Sequence, residues 1–249
     1  MKKITITQIS EKKIKAGNPL LQMEDFPNEL SFDEGELVEL VDSRQKFVAK
    51  AYLAKQNKGV GWVFSLDNAD SFNEAFFKKQ FEKAKRKRTD LQSDPETTTY
   101  RLFNAEGDGI PGVTIDHYDG FAVVSWYSEG IFRYQTAIIA AFQAVFPETK
   151  GIYEKFRYQR KDGLISRYVR GDAAPTPLIV KENGINYATY LDDGLMTGIF
   201  LDQRDVRGAL TERYAAGKRV LNTFSYTGAF SVAAAMGGAI ETTSVDVAN

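Results

Sequence analysis

Residues 1–66 alternate apolar and polar positions in short runs, which is the period of half-buried strands. The alternation is regular between Phe47 and Leu53, and an apolar run follows at 59–64. Polar turns such as Glu34-Gly35 separate these runs. Several short strands joined by polar turns predict a small β-barrel, which we place at residues 1–70.

The period changes to that of a helix between Phe72 and Arg88, where five apolar side chains share one face. Residues 44–90 carry twelve Lys or Arg against five Asp or Glu, although the whole chain has a net charge of −1. A local positive excess attracts phosphate, while a solvated helix face is the ordinary alternative. The candidate RNA-binding residues are Lys78, Lys79, Lys83, Lys85, Arg86, Lys87 and Arg88.

Residues 71–190 predict a mixed α+β domain that begins with this basic helix. A polar stretch at 89–99 predicts a loop, and the dipeptides Asp119-Gly120 and Asn183-Gly184 predict hairpins. An amphipathic helix is predicted from Arg133 to Phe146. The predicted strands are 100–104, 112–116, 121–126, 151–158, 178–181 and 185–191, with a turn at 106–109.

Residues 191–249 predict the beginning of a parallel α/β domain, because strand, helix and strand follow one another at 219–224, 228–236 and 242–247. Asp202 is placed to cap the N-terminus of the helix that follows it. The apolar face of this helix is formed by Val206, Ala209, Leu210 and Tyr214. Two parallel strands would leave an apolar sheet edge unpaired. We therefore expect the natural protein to continue beyond Asn249.

Composition excludes several kinds of site. The chain has no cysteine and a single histidine, so disulfides and Cys/His zinc sites are excluded, and a Ser-His-Asp triad is disfavoured. The start of the chain lacks the apolar segment of a secretion signal, and the longest apolar stretch is too short for a bilayer. We expect a cytoplasmic protein with no metal and no membrane partner.

The segment Val220–Phe230 carries the clearest chemistry, since a strand leads through a polar turn into a helix of small residues. Such turns bring backbone N–H groups close to a ligand, and Asp246 at the end of the next strand suits ribose hydroxyls. A dinucleotide site would need three glycines in the turn, whereas only Gly228 is present. Aromatic faces suit the sulfonium of S-adenosylmethionine. An ordinary strand-to-helix turn is the structural alternative.

Three strings together carry a family resemblance: Thr197–Arg204, Val220–Phe230 and Ser244–Asp246. They resemble the class I S-adenosylmethionine-dependent 23S ribosomal RNA cytosine-C5 methyltransferases that carry an N-terminal PUA domain. Arg101-Leu102 with Glu106–Asp116 resembles the middle domain of that family. The resemblance covers the whole chain and implies a PUA-like barrel, a central α+β domain and the start of a Rossmann-like domain.

The resemblance implies methylation of ribosomal RNA at cytosine C5, with S-adenosyl-L-methionine as cofactor and RNA as partner. It implies a cofactor site formed by Phe200, Asp202, Gln203, Arg204, Asn222, Phe224, Ser225, Tyr226, Thr227, Gly228 and Asp246.

Three departures from the family pattern bear on function. Leu195-Met196 stand where the family often has a lysine, and Asn18-Pro19-Leu20 replace an aromatic motif. The family's cysteine nucleophile and Asp-Pro-Pro loop are absent from this sequence. We therefore assign no catalytic residue here and expect this sequence alone to be inactive.

Two alternatives stay open at this point. A non-catalytic RNA-binding module would retain the fold without methyl transfer. A nucleotide-dependent oxidoreductase would need the glycines that the turn lacks. The sequence leaves the oligomeric state undecided, with a homodimer among the options.

Overall fold

A computed structural model describes residues 1–56 and 58–247, so the last two residues of the predicted third unit lie outside it. The first sheet has five strands in the order β1-β3-β4-β5-β2, with β1 parallel to β3 and the other pairs antiparallel. Its closure into a barrel stays a prediction. The strands are β1 Lys2–Thr5, β2 Leu20–Leu21, β3 Leu37–Val41, β4 Phe47–Leu53 and β5 Gly61–Ser65.

A helix interrupts this first unit where only strands are predicted. Helix α1 spans Gln8–Lys15, and the Oγ1 atom of its N-cap Thr7 accepts a hydrogen bond from the Ser10 amide at 3.2 Å. Only Ser10 and Ile14 of this helix are buried. The prediction is wrong here because a helix of eight residues with one buried apolar side chain has too few apolar positions to establish a helical period. A 3₁₀ turn follows at Met23–Asp25.

The predicted basic helix is confirmed as α2, Glu74–Lys87, with Asn73 as its N-cap. Its apolar face is buried, including Phe77 and Phe81 at 0% exposure. The loop predicted after it is wrong in part, since α3 occupies Thr89–Ser93. No residue of α3 is buried, so periodicity gives no sign of it.

The second sheet has the order β10-β9-β8-β7-β6. All its pairs are antiparallel except β8 with β9, which are parallel and are joined through two helices that cross over one face. A single helical turn, α4 at Ala105–Asp108, replaces the predicted turn at 106–109. The strands are β6 Thr99–Asn104, β7 Val113–Tyr118, β8 Phe121–Trp126, β9 Gly151–Phe156 and β10 Ser166–Gly171, and the crossover helices are α5 Glu129–Phe132 and α6 Gln135–Val145.

One hydrophobic core joins the first unit to the second. Tyr52 and Trp62 of the first sheet belong to the same buried cluster as Phe81 of α2 and Phe142 of α6. Tyr52 stacks on Phe72 with ring centroids 5.5 Å apart. Its hydroxyl also donates to the carbonyl of Pro111 at 2.9 Å. These contacts fix the first unit rigidly against the second sheet.

Both predicted hairpin turns are confirmed. Asp119 has a φ of 46° and Asn183 a φ of 51°, and the glycine after each is also left-handed, as two-residue hairpin turns require. The second turn joins β11, Leu178–Glu182, to β12, Ile185–Thr189. This hairpin packs on the second sheet through a separate apolar cluster that includes Tyr153 and Tyr187.

The surroundings of His117, at the end of β7, hold its imidazole ring in the neutral form. Its ring stacks on Tyr100 with centroids 5.0 Å apart, and its Nε2 accepts a hydrogen bond from the Gly120 amide. Burial lowers the pKa of His117 to about 4. The unfolded chain binds a proton near pH 6.5 and the folded chain only near pH 4, so stability is lost as the pH falls between these values.

As the pH falls from 7 to 5, protonation of this histidine in the unfolded chain should lower the free energy of unfolding by roughly 2 kcal/mol. Urea unfolding at the two pH values, with His117→Gln as the reference that lacks the titrating ring, measures this difference. An equal pH dependence in both proteins would show that His117 does not carry the effect.

The third unit begins with a 3₁₀ turn at Leu201–Gln203 that leads into α7, Arg204–Ala209, and then into a π-helical turn at Leu210–Tyr214. The cap prediction is wrong: Asp202 lies inside the 3₁₀ turn, and α7 has no side-chain cap. The predicted strand–helix–strand order is confirmed, with β13 and β14 parallel. Their bounds are β13 Arg219–Thr223, α8 Ala229–Met236 and β14 Glu241–Val245.

Candidate functional site

The loop between β13 and α8 has an unusual backbone. Phe224 and Tyr226 have φ values of 56° and 48°, a left-handed conformation that side chains with a Cβ rarely adopt. Gly228 is left-handed as well, with a φ of 84°. Two non-glycine residues in this region mark a turn that the surrounding contacts hold in place, as is common at ligand sites.

Three contacts hold this loop. The Tyr226 amide donates to Oδ2 of Asp246 at 2.6 Å, and the Ser225 amide donates to the Val245 carbonyl at 3.1 Å. The Thr227 hydroxyl donates to the Gly198 carbonyl at 2.6 Å. The loop is thus fastened both to the end of β14 and to the segment that precedes α7.

A cavity of about 410 Å³ opens between this loop and the segment at 198–203. The rings of Phe200 and Tyr226 meet across it, with centroids 5.4 Å apart. Helix α8 begins beside it without a side-chain cap, so its first amides are not satisfied by a side chain. Seven of the predicted cofactor residues line the cavity: Phe200, Gln203, Asn222, Phe224, Ser225, Tyr226 and Thr227.

The other four predicted residues lie around the cavity. Asp246 holds the loop through the amide of Tyr226, and Gly228 is the N-cap residue of α8. Asp202 lines a neighbouring cavity of about 240 Å³. The Arg204 guanidinium turns away to the exposed carboxylate of Asp205.

Arg207 is the residue of this site that the sequence does not predict. It is 2% exposed and lines the cavity. Its guanidinium forms two hydrogen bonds with Glu182 of β11, at 2.7 and 2.8 Å, and a third with the Phe200 carbonyl at 2.8 Å. The predicted apolar face is wrong in part, since Val206 and Tyr214 are 60% and 65% exposed. Local sequence gives no signal for Arg207, because its buried partner Glu182 lies 25 positions away on another element.

Lys155 and Arg157 line the neighbouring cavity of about 240 Å³. Met196 stands where the family resemblance would place a basic contact, and its carbonyl accepts a hydrogen bond from Lys155 at 3.3 Å. A second bond joins Lys155 to the Gly194 carbonyl at 2.6 Å. Burial, followed by the charge of Arg157, lowers the pKa of Lys155 to about 8. Lys155 and Arg157 therefore lie beside the segment that leads into the 410 Å³ cavity.

The basic residues of α2 differ in what they contact. Arg88 and Lys87 both bind the buried carboxylate of Asp108, and Arg88 also donates to two carbonyls. Lys79, Lys83 and Lys85 contact, respectively, Asp70, Gln80 and the C-terminal end of α6 with Glu148. Lys78 and Arg86 are exposed and form no ion pair within the described residues.

Neither a metal cluster nor a membrane-spanning helix is found among the described residues. Within 1–56 and 58–247, no group of three acidic or histidine side chains is arranged to hold a metal ion. Every helix in that part of the chain falls short of the length and apolarity that a bilayer crossing requires.

Comparison with known families agrees with this geometry. Residues 4–66 match the model of a PUA-like domain, and residues 133–249 match the model of an S-adenosylmethionine-dependent methyltransferase. A structure described as a candidate S-adenosylmethionine-dependent methyltransferase from Streptococcus mutans is 48% identical, with a TM-score of 0.93 over 100% of this chain and 64% of that one. A structure of SMU.776, a candidate methyltransferase complexed with SAH, is 48% identical with a TM-score of 0.94. That match covers 100% of this chain and 63% of SMU.776.

Curated relatives point the same way. YwbD of Bacillus subtilis, named as a candidate ribosomal RNA large subunit methyltransferase, is 47% identical over all of this chain and 64% of its own length. Ribosomal RNA large subunit methyltransferase I of Escherichia coli O157:H7 is 37% identical over 85% of this chain and 54% of its own length. The chain thus spans less than two thirds of either relative. Its residues 4–66 are similar to PUA-like domains and its residues 133–249 to S-adenosylmethionine-dependent methyltransferases, and both relatives are named as ribosomal RNA large subunit methyltransferases, YwbD as a candidate.

Proposed function

We propose that this protein is an S-adenosylmethionine-dependent methyltransferase that acts on large-subunit ribosomal RNA in the cytoplasm, with cytosine C5 as the methylated atom. The observation that carries the proposal is the 410 Å³ cavity, where aromatic rings, uncapped amides of α8 and an acidic strand end converge. The names of the relatives support RNA as the substrate.

The residues of this cavity suit the proposed cofactor. The Asp246 carboxylate lies at the end of β14, where ribose hydroxyls bind in folds of this kind. The first amides of α8 suit the carboxylate of the methionine moiety, since a helix N-terminus attracts negative charge. Phe200 and Tyr226 offer aromatic faces to the cationic sulfur or to adenine. When bound, S-adenosylmethionine would supply an electrophilic methyl group.

Methylation at C5 needs an additional nucleophile. Cytosine C5 reacts with a methyl donor only after a group such as a thiolate has added to C6, and this chain has no cysteine. Mass spectrometric sequencing of the native protein past Asn249 tests this part of the proposal. A cysteine that follows a strand there would support the C5 mechanism, whereas its absence would remove C5 and leave other methyl acceptors.

RNA contacts are proposed on the first unit and on α2. Within α2 we place phosphate contacts foremost at Lys78 and Arg86, which are exposed and unpaired within the described residues. Lys79, Lys83, Lys85 and Lys87 are secondary candidates because each already has an internal partner. Arg88 is the weakest candidate. Its side chain is 15% exposed, and its guanidinium already binds two carbonyls and the Asp108 carboxylate.

The native full-length protein is the sample for the test. S-adenosylhomocysteine should raise its melting temperature while NAD should not, because a ligand stabilises only the state that binds it. Incubation with labelled S-adenosylmethionine and ribosomal RNA that lacks the modification should then yield labelled 5-methylcytidine after nuclease digestion. A shift with NAD alone would contradict the cofactor, and RNA binding without any cofactor shift would favour a non-catalytic RNA-binding module.

A further inference from the structure

The face of the second sheet that lies opposite α2 and α6 is divided into two regions. At one end, Tyr118, Val123 and Tyr153 pack under the β11–β12 hairpin in an apolar cluster. At the other end the face is polar and borders open cavities. An uncovered polar end on an otherwise well-packed sheet is a place where a ligand can bind.

A row of polar side chains crosses this uncovered end. The strand register places Thr114 opposite Ser125 and Ser125 opposite Lys155, so that all three point to the same face. These three side chains are at most 4% exposed. The Thr114 hydroxyl is fully enclosed and has no hydrogen-bond partner within the described residues. An unpaired buried polar atom is costly, so this hydroxyl, which belongs to the lining of a cleft, is available to a bound water or ligand.

Thr114 of this row lines a cleft of about 1290 Å³ between the first unit and the second sheet, and Ser125 and Lys155 line the cavity of about 240 Å³. Two more enclosed polar atoms that have no partner in residues 1–56 and 58–247, Oε2 of Glu34 and Nε2 of Gln56, belong to the lining of the cleft. The charged residues of the cleft are four cations, Lys55, Lys58, Arg101 and Arg157, and three acids, Glu34, Glu106 and Glu129, and its rings include Trp62, Tyr127 and Tyr158. Cations interleaved with aromatic rings are typical of grooves that bind single-stranded nucleic acid.

This cleft continues toward the cofactor cavity. Arg101, Tyr127 and Arg157 line both the cleft and the smaller cavity of about 240 Å³. The smaller cavity in turn shares Ile199 and Phe200 with the cofactor cavity. The three spaces therefore adjoin one another through common side chains. A single strand of nucleic acid bound in the cleft would lead toward the cofactor cavity.

We propose that this cleft binds the single-stranded RNA segment that carries the target base, with a base stacked on Tyr127 and a phosphate bound by Arg157. The inference rests on the proposed function and specifies where its substrate lies. Tyr127 is 39% exposed, which leaves a ring face available for stacking. Arg157 is exposed, and among the described residues its only hydrogen bond to another side chain is to the sulfur of Met196, so its charge is available to a phosphate.

Arg170 provides a matched control on the same sheet. Arg157 follows the β9 position of Lys155 by two residues and so belongs to the polar face, whereas Arg170 pairs with Ile152 on the helix-covered face. The Arg170 guanidinium bonds to Gln143 of α6, outside the cleft. The variants Arg157→Gln and Arg170→Gln therefore remove the same charge from opposite faces.

The test measures fluorescence anisotropy of a labelled oligocytidine of about 12 nucleotides bound to the full-length protein, within the usual site size of such grooves. Tyr127→Ala should weaken binding about tenfold through lost stacking. Arg157→Gln should reduce the slope of log affinity against log salt by about 0.7. Arg170→Gln should change neither quantity.

Each outcome decides the inference. If the wild-type protein does not bind the oligonucleotide at low salt, or if Tyr127→Ala and Arg157→Gln both bind as wild type does, the cleft is not the RNA site. Equal losses of affinity and of salt slope in Arg157→Gln and Arg170→Gln would also overturn the inference, since the net charge of the protein would then explain the effect. Melting temperatures that still rise with S-adenosylhomocysteine in all variants separate this failure from failure of the proposed function.

Discussion

Replacing Arg207 by alanine is expected to lower the free energy of unfolding by about 3–5 kcal/mol. The variant would leave the Glu182 carboxylate, which is 1% exposed, without its counter-charge. It would also remove the donor to the Phe200 carbonyl and the cation that lies 5.5 Å from the Phe230 ring centroid. A buried charge without a partner is among the largest penalties that one substitution can cause.

Urea denaturation of the full-length protein measures this loss. Arg213→Ala is the matched control, because that arginine lies in the adjoining π-helical turn and is exposed. We expect it to change stability by less than about 0.5 kcal/mol. The double variant Arg207→Met with Glu182→Leu should recover most of the loss, since no unpaired charge remains. A loss of below about 1 kcal/mol for Arg207→Ala would show that water reaches the pair and solvates Glu182.

Replacing Asp246 by alanine is expected to weaken S-adenosylhomocysteine binding by about 10- to 100-fold, which corresponds to a charged hydrogen bond of 1.5–3 kcal/mol. The substitution removes the proposed acceptor for ribose hydroxyls. It also releases the amide of Tyr226, which the carboxylate holds at 2.6 Å in a left-handed conformation. Both effects act on the same cavity, so the loss should appear in binding and much less in stability.

Isothermal titration calorimetry with S-adenosylhomocysteine measures this change. Glu241→Ala is the control, because Glu241 begins the same strand and pairs with Arg219 at the other end. That exposed pair should leave cofactor affinity unchanged. Equal affinities for Asp246→Ala and the wild-type protein would place the ribose elsewhere and contradict the proposed orientation of the cofactor.

Elements with a strong period are predicted well from the sequence. Helix α2 is predicted within two residues of each end because apolar side chains repeat at helical spacing beside an N-capping Asn73. Helix α1 is not predicted, because Ile9 is 81% exposed and Ile14 alone supplies a buried apolar side chain. Its stability comes instead from Thr7 and from the buried Asp25, which binds both Ser10 and Lys13.

The candidate site shows the same division. The loop from Asn222 to Gly228 is continuous in sequence, so its strand–turn–helix pattern can be recognised directly. The Arg207–Glu182 pair joins residues 25 positions apart. The polar row at Thr114 depends on the register of two strand pairs that no local pattern determines. Long-range pairing therefore decides the parts of the site that local sequence does not predict.

The shared aromatic core has a consequence for how this architecture can be inherited. Tyr52 and Trp62 belong to the first unit, yet they are buried in one cluster with Phe72 and the helices of the second. A transfer of the first unit alone would expose these two rings and the part of the second unit's core that they cover. The two units should therefore be gained, lost and duplicated together, as a single heritable block.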